Sequence, residues 1–256
     1  MTQRVLCLHG YGQSGKFFRE RIGSLRKALK AHVSEFACPD APFVATASFL
    51  DGRGEDARSW WVWEDGEERP SLSFEYRGLD ETFEALNAIC EAEGPFDGVL
   101  GFSQGAALAA MLCRHRPWQP PHFRYAIMIA GFVPRDPTLA TSFDESMPPS
   151  SLPTLHVFGA MDERVPPPSS ERLARSFAAP QTFSHPGGHA VPSDAAFRAT
   201  VRDFVAAQAL AAEPPAQPPP PPTAGRPSEP QEPFDEVRRS VQAYERWRSI
   251  RGEPGD

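Results

Sequence analysis

Short apolar runs alternate along the chain with stretches in which apolar positions recur every three or four residues. The runs Val5–His9, Val33–Cys38, Gly98–Gly101, Tyr125–Ile129, Thr154–Phe158 and Gln181–His185 have the length and composition of buried strands. Between them the spacing predicts helices over Lys16–Ala31, Leu79–Glu93, Gln104–His115 and Ser169–Phe177, and a last one over Ala195–Ala212. In that last segment Phe197, Val201, Phe204 and Val205 fall on one face, as packing against a sheet requires. Strand–helix alternation of this kind predicts an α/β domain with a mostly parallel central sheet flanked by helices.

Two stretches break the alternation. Residues 43–77 carry Trp60, Trp61 and Trp63 among charges and glycines, and residues 134–152 are rich in proline and serine. Long insertions of this sort leave the sheet at one edge and cover what lies there. The tryptophans fit two readings, core packing and a lid facing a substrate, because aromatics dominate both cores and apolar pockets.

The proline distribution divides the chain. Of 29 prolines, 18 lie in residues 1–212 and 11 in residues 213–256. The stretch 213–233 alone holds ten, which forbids helix or sheet interior and predicts an extended linker. Beyond it Phe234, Val237, Val241, Tyr244 and Trp247 recur at helical spacing. Residues 234–256 therefore read as a short amphipathic helix or a disordered tail, and as a place for a protein partner. The body, residues 1–212, is expected to be one domain.

Charge and cysteine usage narrow the setting. A net charge of −7 argues against nucleic acid as a partner, since that calls for clustered Lys and Arg. The longest apolar run, Tyr125–Val133, falls far short of the ~20 residues of a membrane span. Cys7, Cys38, Cys90 and Cys113 are widely spaced and contain no CxxC pair, which fits free thiols in a cytoplasmic protein.

The sharpest chemical signal is Gly101-Phe102-Ser103-Gln104-Gly105, placed after an apolar strand and before an alanine-rich helix. That is the setting of a nucleophile elbow, in which a tight turn lifts a serine above the sheet. A nucleophilic serine needs a base, and the base needs an acid to orient it, in the chain order Ser, Asp or Glu, His. Asp162 follows the strand Thr154–Phe158, and His189 follows the strand Gln181–His185, so all three lie at the same sheet edge. Asp136 is the runner-up acid, and Glu163 adjoins the favoured one. His185 and His189 are four apart, but Pro186 and two glycines exclude the helix that would align them on a metal. No metal or organic cofactor is expected.

The first loop, Gly10-Tyr11-Gly12-Gln13-Ser14-Gly15, fits G-x-G-x-x-G, and Asp40 stands where a ribose-binding acid would. The dinucleotide-binding oxidoreductase this suggests has no use for the Ser–Asp–His set. In a serine hydrolase the same loop supplies a backbone N–H, from Tyr11 or Gly12, to an oxyanion hole completed by the N–H of Gln104. His9 is expected to shape that loop. His32, His115, His122 and His156 are expected to be structural or exposed.

Together, Leu8–Gly15, Gly101–Ala107, Gly159 with Asp162 and Val165-Pro166, and Gly187–Pro192 resemble the FSH family of serine hydrolases. The likeness spans about residues 3–208 and includes the tryptophan-rich insertion. It implies the α/β-hydrolase fold and esterase or thioesterase activity, with Ser103 as nucleophile, Asp162 as acid, His189 as base, and backbone donors at Tyr11 and Gln104. The expected substrate is an ester or thioester with an apolar acyl group, lodged against Phe102, Phe132, Trp60, Trp61 and Met161. The competing reading is a binding module of the same fold without catalysis.

Overall fold

The computed structural model describes residues 2–45, 56–114 and 123–210. The proline-rich segment, the expected C-terminal helix and the two histidines His115 and His122 fall outside them. The chain opens with β1 (Gln3–Leu8), α1 (Gly15–Arg21), α2 (Gly23–Leu29) and β2 (Val33–Ala37). The insertion contributes β3 (Phe43–Val44) and β4 (Arg58–Ser59), and α3 (Leu79–Glu93) leads back to the sheet. Then follow β5 (Gly98–Phe102), α4 (Gln104–Arg114), β6 (Tyr125–Ile129), α5 (Pro137–Ala140), β7 (Thr154–Gly159), α6 (Pro167–Ala174), β8 (Gln181–His185) and α7 (Ala195–Leu210).

Six of these strands form one parallel sheet in the order β2-β1-β5-β6-β7-β8. The chain steps outward from β1 to β2, then crosses back to place β5 on the other side of β1. Loops leaving β1 and β5 therefore diverge around one crevice, where open α/β sheets place their ligands. The strands β5, β6 and β7 are buried along their whole length, as helices on both faces demand, and this is why they read as unbroken apolar runs. The edge strand β8 is mostly exposed or half-buried. No helix among the described residues is long and apolar enough to cross a membrane.

Several boundaries differ from the sequence reading for local reasons. The expected helix Lys16–Ala31 is two helices, broken where Ile22 leaves helical geometry at ψ 13° and closes α1 with N–H bonds to Phe18 and Glu20. Helix α6 starts two residues before the expected Ser169, with Pro167 in its first turn, where a missing N–H costs nothing. Segment 134–152 contains α5, capped by Asp136, whose carboxylate accepts from the Thr138 N–H. Asp136 also accepts from the Tyr76 N–H, so both oxygens of the runner-up acid are committed to backbone donors.

Two buried histidines make stability depend on pH. Burial lowers both His9 and His156 from the ordinary 6.5 to about 4. The unfolded chain binds a proton on each near its ordinary value, so stability is complete above it and is lost as pH falls toward 4. By pH 5 each costs about 2 kcal/mol, and the melting temperature of a domain this size falls by on the order of 10 °C. Thermal melts at pH 7.5 and pH 5 check this, and an unchanged melting temperature contradicts it.

Candidate active site

Ser103 sits at φ +54°, in the left-handed region that a side chain rarely occupies. The flanking glycines make the turn possible. A Cβ on Gly101 would lie 2.2 Å from the Gly105 carbonyl oxygen, and one on Gly105 would lie 2.1 Å from that of Leu8. The strained turn is held by the Ser103 N–H donating to Ile129 at 2.8 Å, and by the Ser103 carbonyl accepting from Ala106 and Ala107 at 3.0 Å. Ser103 thus stands at the C-terminal end of β5 and opens α4, whose first N–H groups have no helical carbonyl to meet.

The loops after β7 and β8 pack backbone to backbone. A Cβ on Gly159 would lie 2.4 Å from the Gly187 carbonyl oxygen, and Met161 donates its N–H to that same oxygen at 3.1 Å. This close approach brings His189 over Asp162. His189 Nδ1 lies 2.8 Å from Asp162 Oδ2, and His189 Nε2 lies 2.9 Å from Ser103 Oγ. Asp162 Oδ1 accepts from the N–H groups of Arg164 at 2.9 Å and Val165 at 2.8 Å. Burial pushes the Asp162 carboxyl up, but the His189 bond and these backbone donors outweigh it and hold the group below the usual carboxylate value. An ionised Oδ2 can only accept, so Nδ1 carries the proton and Nε2 offers its lone pair to the Ser103 hydroxyl. The arrangement can take a proton from Ser103 and return it.

The loop after β1 faces the elbow. Its backbone donors are largely committed within the fold: Gly10 N–H to Gln13 Oε1, Gly12 N–H to the Arg58 carbonyl, and Gly15 N–H to Asp40 Oδ1. Asp40 is thereby occupied, and the loop is not arranged as a phosphate cradle. Of the two expected donors, Gly12 is directed into the insertion, while Tyr11 lines the cleft together with Gly10 and Gln13.

A cleft of about 400 Å³ opens between these loops, lined in part by Tyr11, Phe102, Ser103, Phe132 and His189. The other expected lining residues are elsewhere. Trp60 and Trp61 are fully buried, so these two are core and not lid, while Trp63 is half-buried with its ring 5.0 Å from that of Tyr11. Met161 is 74% exposed and lies outside the cleft. Polar residues that the sequence reading missed, Glu68, Arg69, Ser71, Glu163 and Arg164, form the rim instead. There Arg69 donates to the Glu163 carbonyl at 3.1 Å and Ser71 to the Arg164 carbonyl at 3.3 Å. These partners are more than ninety residues apart, and no local pattern announces them. His185 is not paired with His189; its Nδ1 accepts from the Gly187 N–H.

The chain is similar to known proteins. A family model described as serine hydrolase (FSH1) matches residues 1–201. The chain is 40% identical to the esterase OVCA2 of Danio rerio over 79% of its own length and 96% of that protein. It is 38% identical to the esterase OVCA2 of Homo sapiens, over 79% and 95% of the two chains. Among solved structures, Arabidopsis thaliana SOBER1 superposes with a TM-score of 0.57 at 20% identity, covering 82% of this chain and 100% of the other. At that identity the likeness shows a common fold.

Proposed function

The chain belongs to the FSH1 family of serine hydrolases and is an ester-hydrolysing enzyme, and from that premise we propose that Ser103, His189 and Asp162 are its catalytic triad. The continuous bond path from Ser103 Oγ through the imidazole to a buried carboxylate carries this reading. His189 takes the hydroxyl proton as Ser103 Oγ attacks the carbonyl carbon of an ester or thioester. The backbone N–H groups of Tyr11 and Gln104 receive the oxyanion, the second from a helix N-terminus whose dipole favours negative charge. His189 then passes its proton to the departing alcohol or thiol, leaving an acyl-serine. Water, deprotonated by His189, attacks that acyl group, and the proton returns to Ser103 as the acid leaves. Asp162 keeps the imidazole in the required tautomer throughout.

The acyl group is apolar and packs on Phe102 and Phe132, while the polar rim at Arg69 and Arg164 faces the alcohol or thiol portion. Residues 1–212 form the hydrolase domain, supported by a family match that ends at residue 201. Residues 213–233 are its linker, and 234–256 an appendage open to a protein partner. The four cysteines are free thiols, which supports a cytoplasmic setting. Assay of p-nitrophenyl esters of rising chain length, together with labelling by a fluorophosphonate, tests the reading. We expect labelling and a rate that peaks at a chain length the cleft can hold. A folded protein that neither labels nor cleaves any ester overturns it.

A further inference from the structure

The insertion makes a buried connection between the two proposed oxyanion donors. The Gln104 side chain is fully buried, and every polar group on it is used. Its Oε1 accepts from the Trp60 N–H at 3.0 Å, and its Nε2 donates to Ser59 Oγ at 3.0 Å and to the Trp61 carbonyl at 3.2 Å. Trp60 continues the path, its indole Nε1 donating to the His9 carbonyl at 2.8 Å. His9 is neutral, because burial lowers it to about 4 and its Nε2 accepts from the Ala41 N–H at 3.0 Å. Its Nδ1 therefore carries the proton and donates to the Gly10 carbonyl at 2.8 Å, which also accepts from the Gln13 N–H at 3.1 Å. The Gly10 carbonyl and the Tyr11 N–H belong to one planar trans peptide and point in opposite directions. Fixing the carbonyl on His9 and Gln13 therefore also fixes the direction of the Tyr11 N–H, in a residue that lines the cleft. Cross-bonds from Gly12 to Arg58 and from Arg58 to Gln13, at 2.8 and 2.9 Å, tie the same loop to β4.

We propose that Trp60 and the side-chain amide of Gln104 are positioning residues for the oxyanion hole, fastening the loop that presents the Tyr11 N–H to the elbow that presents the Gln104 N–H. This rests on the hydrolase reading above. It gives the insertion a role in transition-state binding, with Trp60 and Trp61 behind the site rather than over it. The amide cannot be inverted or replaced by a carboxylate, since the Trp60 N–H requires an acceptor and the Trp61 carbonyl a donor.

The test uses the full chain and a matched pair of inhibitors, an alkyl trifluoromethyl ketone and the corresponding carbinol. The ketone carbon bonds to Ser103 Oγ, the hydroxyl proton passes to His189, and the former carbonyl oxygen becomes an anion in the hole. The carbinol fills the cleft without forming that charge. Trp60→Phe keeps most of the ring and removes the donor to His9; Gln104→Met keeps length and removes all the side chain's bonds. We expect kcat and ketone affinity to fall together, roughly 10-fold for Trp60→Phe and roughly 100-fold for Gln104→Met. Carbinol affinity and KM should stay within about threefold of the parent, since neither reads charge at the oxyanion. Unchanged ketone affinity in both variants overturns the proposal, as does parallel loss of both inhibitors or of a cooperative melt in both. A parent protein that cleaves no ester and shows no preference for the ketone overturns the hydrolase reading first.

Discussion

Ser103→Ala lowers kcat for p-nitrophenyl esters by roughly 10⁴-fold or more and abolishes fluorophosphonate labelling, with the melting temperature nearly unchanged. The size follows from losing the atom that forms the acyl bond; what remains is the binding and oxyanion contribution of an empty site. The structural silence follows from how little else depends on that atom. The bonds that hold the strained turn use the Ser103 backbone, to Ile129 on one side and to Ala106 and Ala107 on the other. Alanine keeps the Cβ, so the conformational cost at φ +54° is already present in the parent. The Oγ itself makes one side-chain bond, to His189, which the solvent in the cleft can replace. Steady-state assays beside a thermal melt decide the matter. Turnover that survives in a folded variant removes Ser103 as nucleophile.

The local parts of this site are legible in the chain because each solves a local problem. Gly101 is dictated by the elbow's own backbone and Gly105 by the close approach of the end of β1, yet the motif and its strand–helix setting stand together in five residues. Asp162 follows β7, a strand whose burial on both faces makes it visible as an apolar run, whereas His189 follows the mostly exposed edge strand β8 and is marked by its glycine-rich loop instead. What surrounds the proposed triad is less legible, because the partners are remote. The polar residues Gln3 and Arg4 belong to β1 although nothing apolar marks them. Gln3 is buried with its amide on the Val205 carbonyl, and the Arg4 N–H donates to Asp97. Trp60 and Trp61 fit lid and core equally until Gln104, more than forty residues away, fills the gap between their backbones. The rim arises the same way, from Arg69 and Ser71 reaching carbonyls on the acid loop. Of the apolar residues expected in the pocket, Phe102 and Phe132 therefore line the cleft, and Trp60, Trp61 and Met161 do not.

Asp162→Asn lowers kcat by roughly 10⁴-fold, although it changes one oxygen for a nitrogen of nearly the same size. The two carboxylate oxygens have different partners, and these force the orientation of an amide. Oδ1 accepts from two backbone N–H groups, at Arg164 and Val165. An amide nitrogen placed there would set donor against two donors in a buried position, so the asparagine oxygen takes that place. Its NH₂ then faces His189 Nδ1, where the parent holds an acceptor at 2.8 Å. The imidazole can bond to that NH₂ only by accepting, which moves its own proton to Nε2. Nε2–H then points at Ser103 Oγ and cannot take the hydroxyl proton, so attack on the carbonyl loses its base. The positive charge that forms on His189 during the reaction also loses its counter-ion. Because the amide keeps both loop bonds, the variant should melt close to the parent, and carbinol affinity should be retained. Kinetics and melts on the same preparation check this pairing of large kinetic and small structural effects. A variant within tenfold of the parent's kcat shows that Asp162 does not set the tautomer of His189.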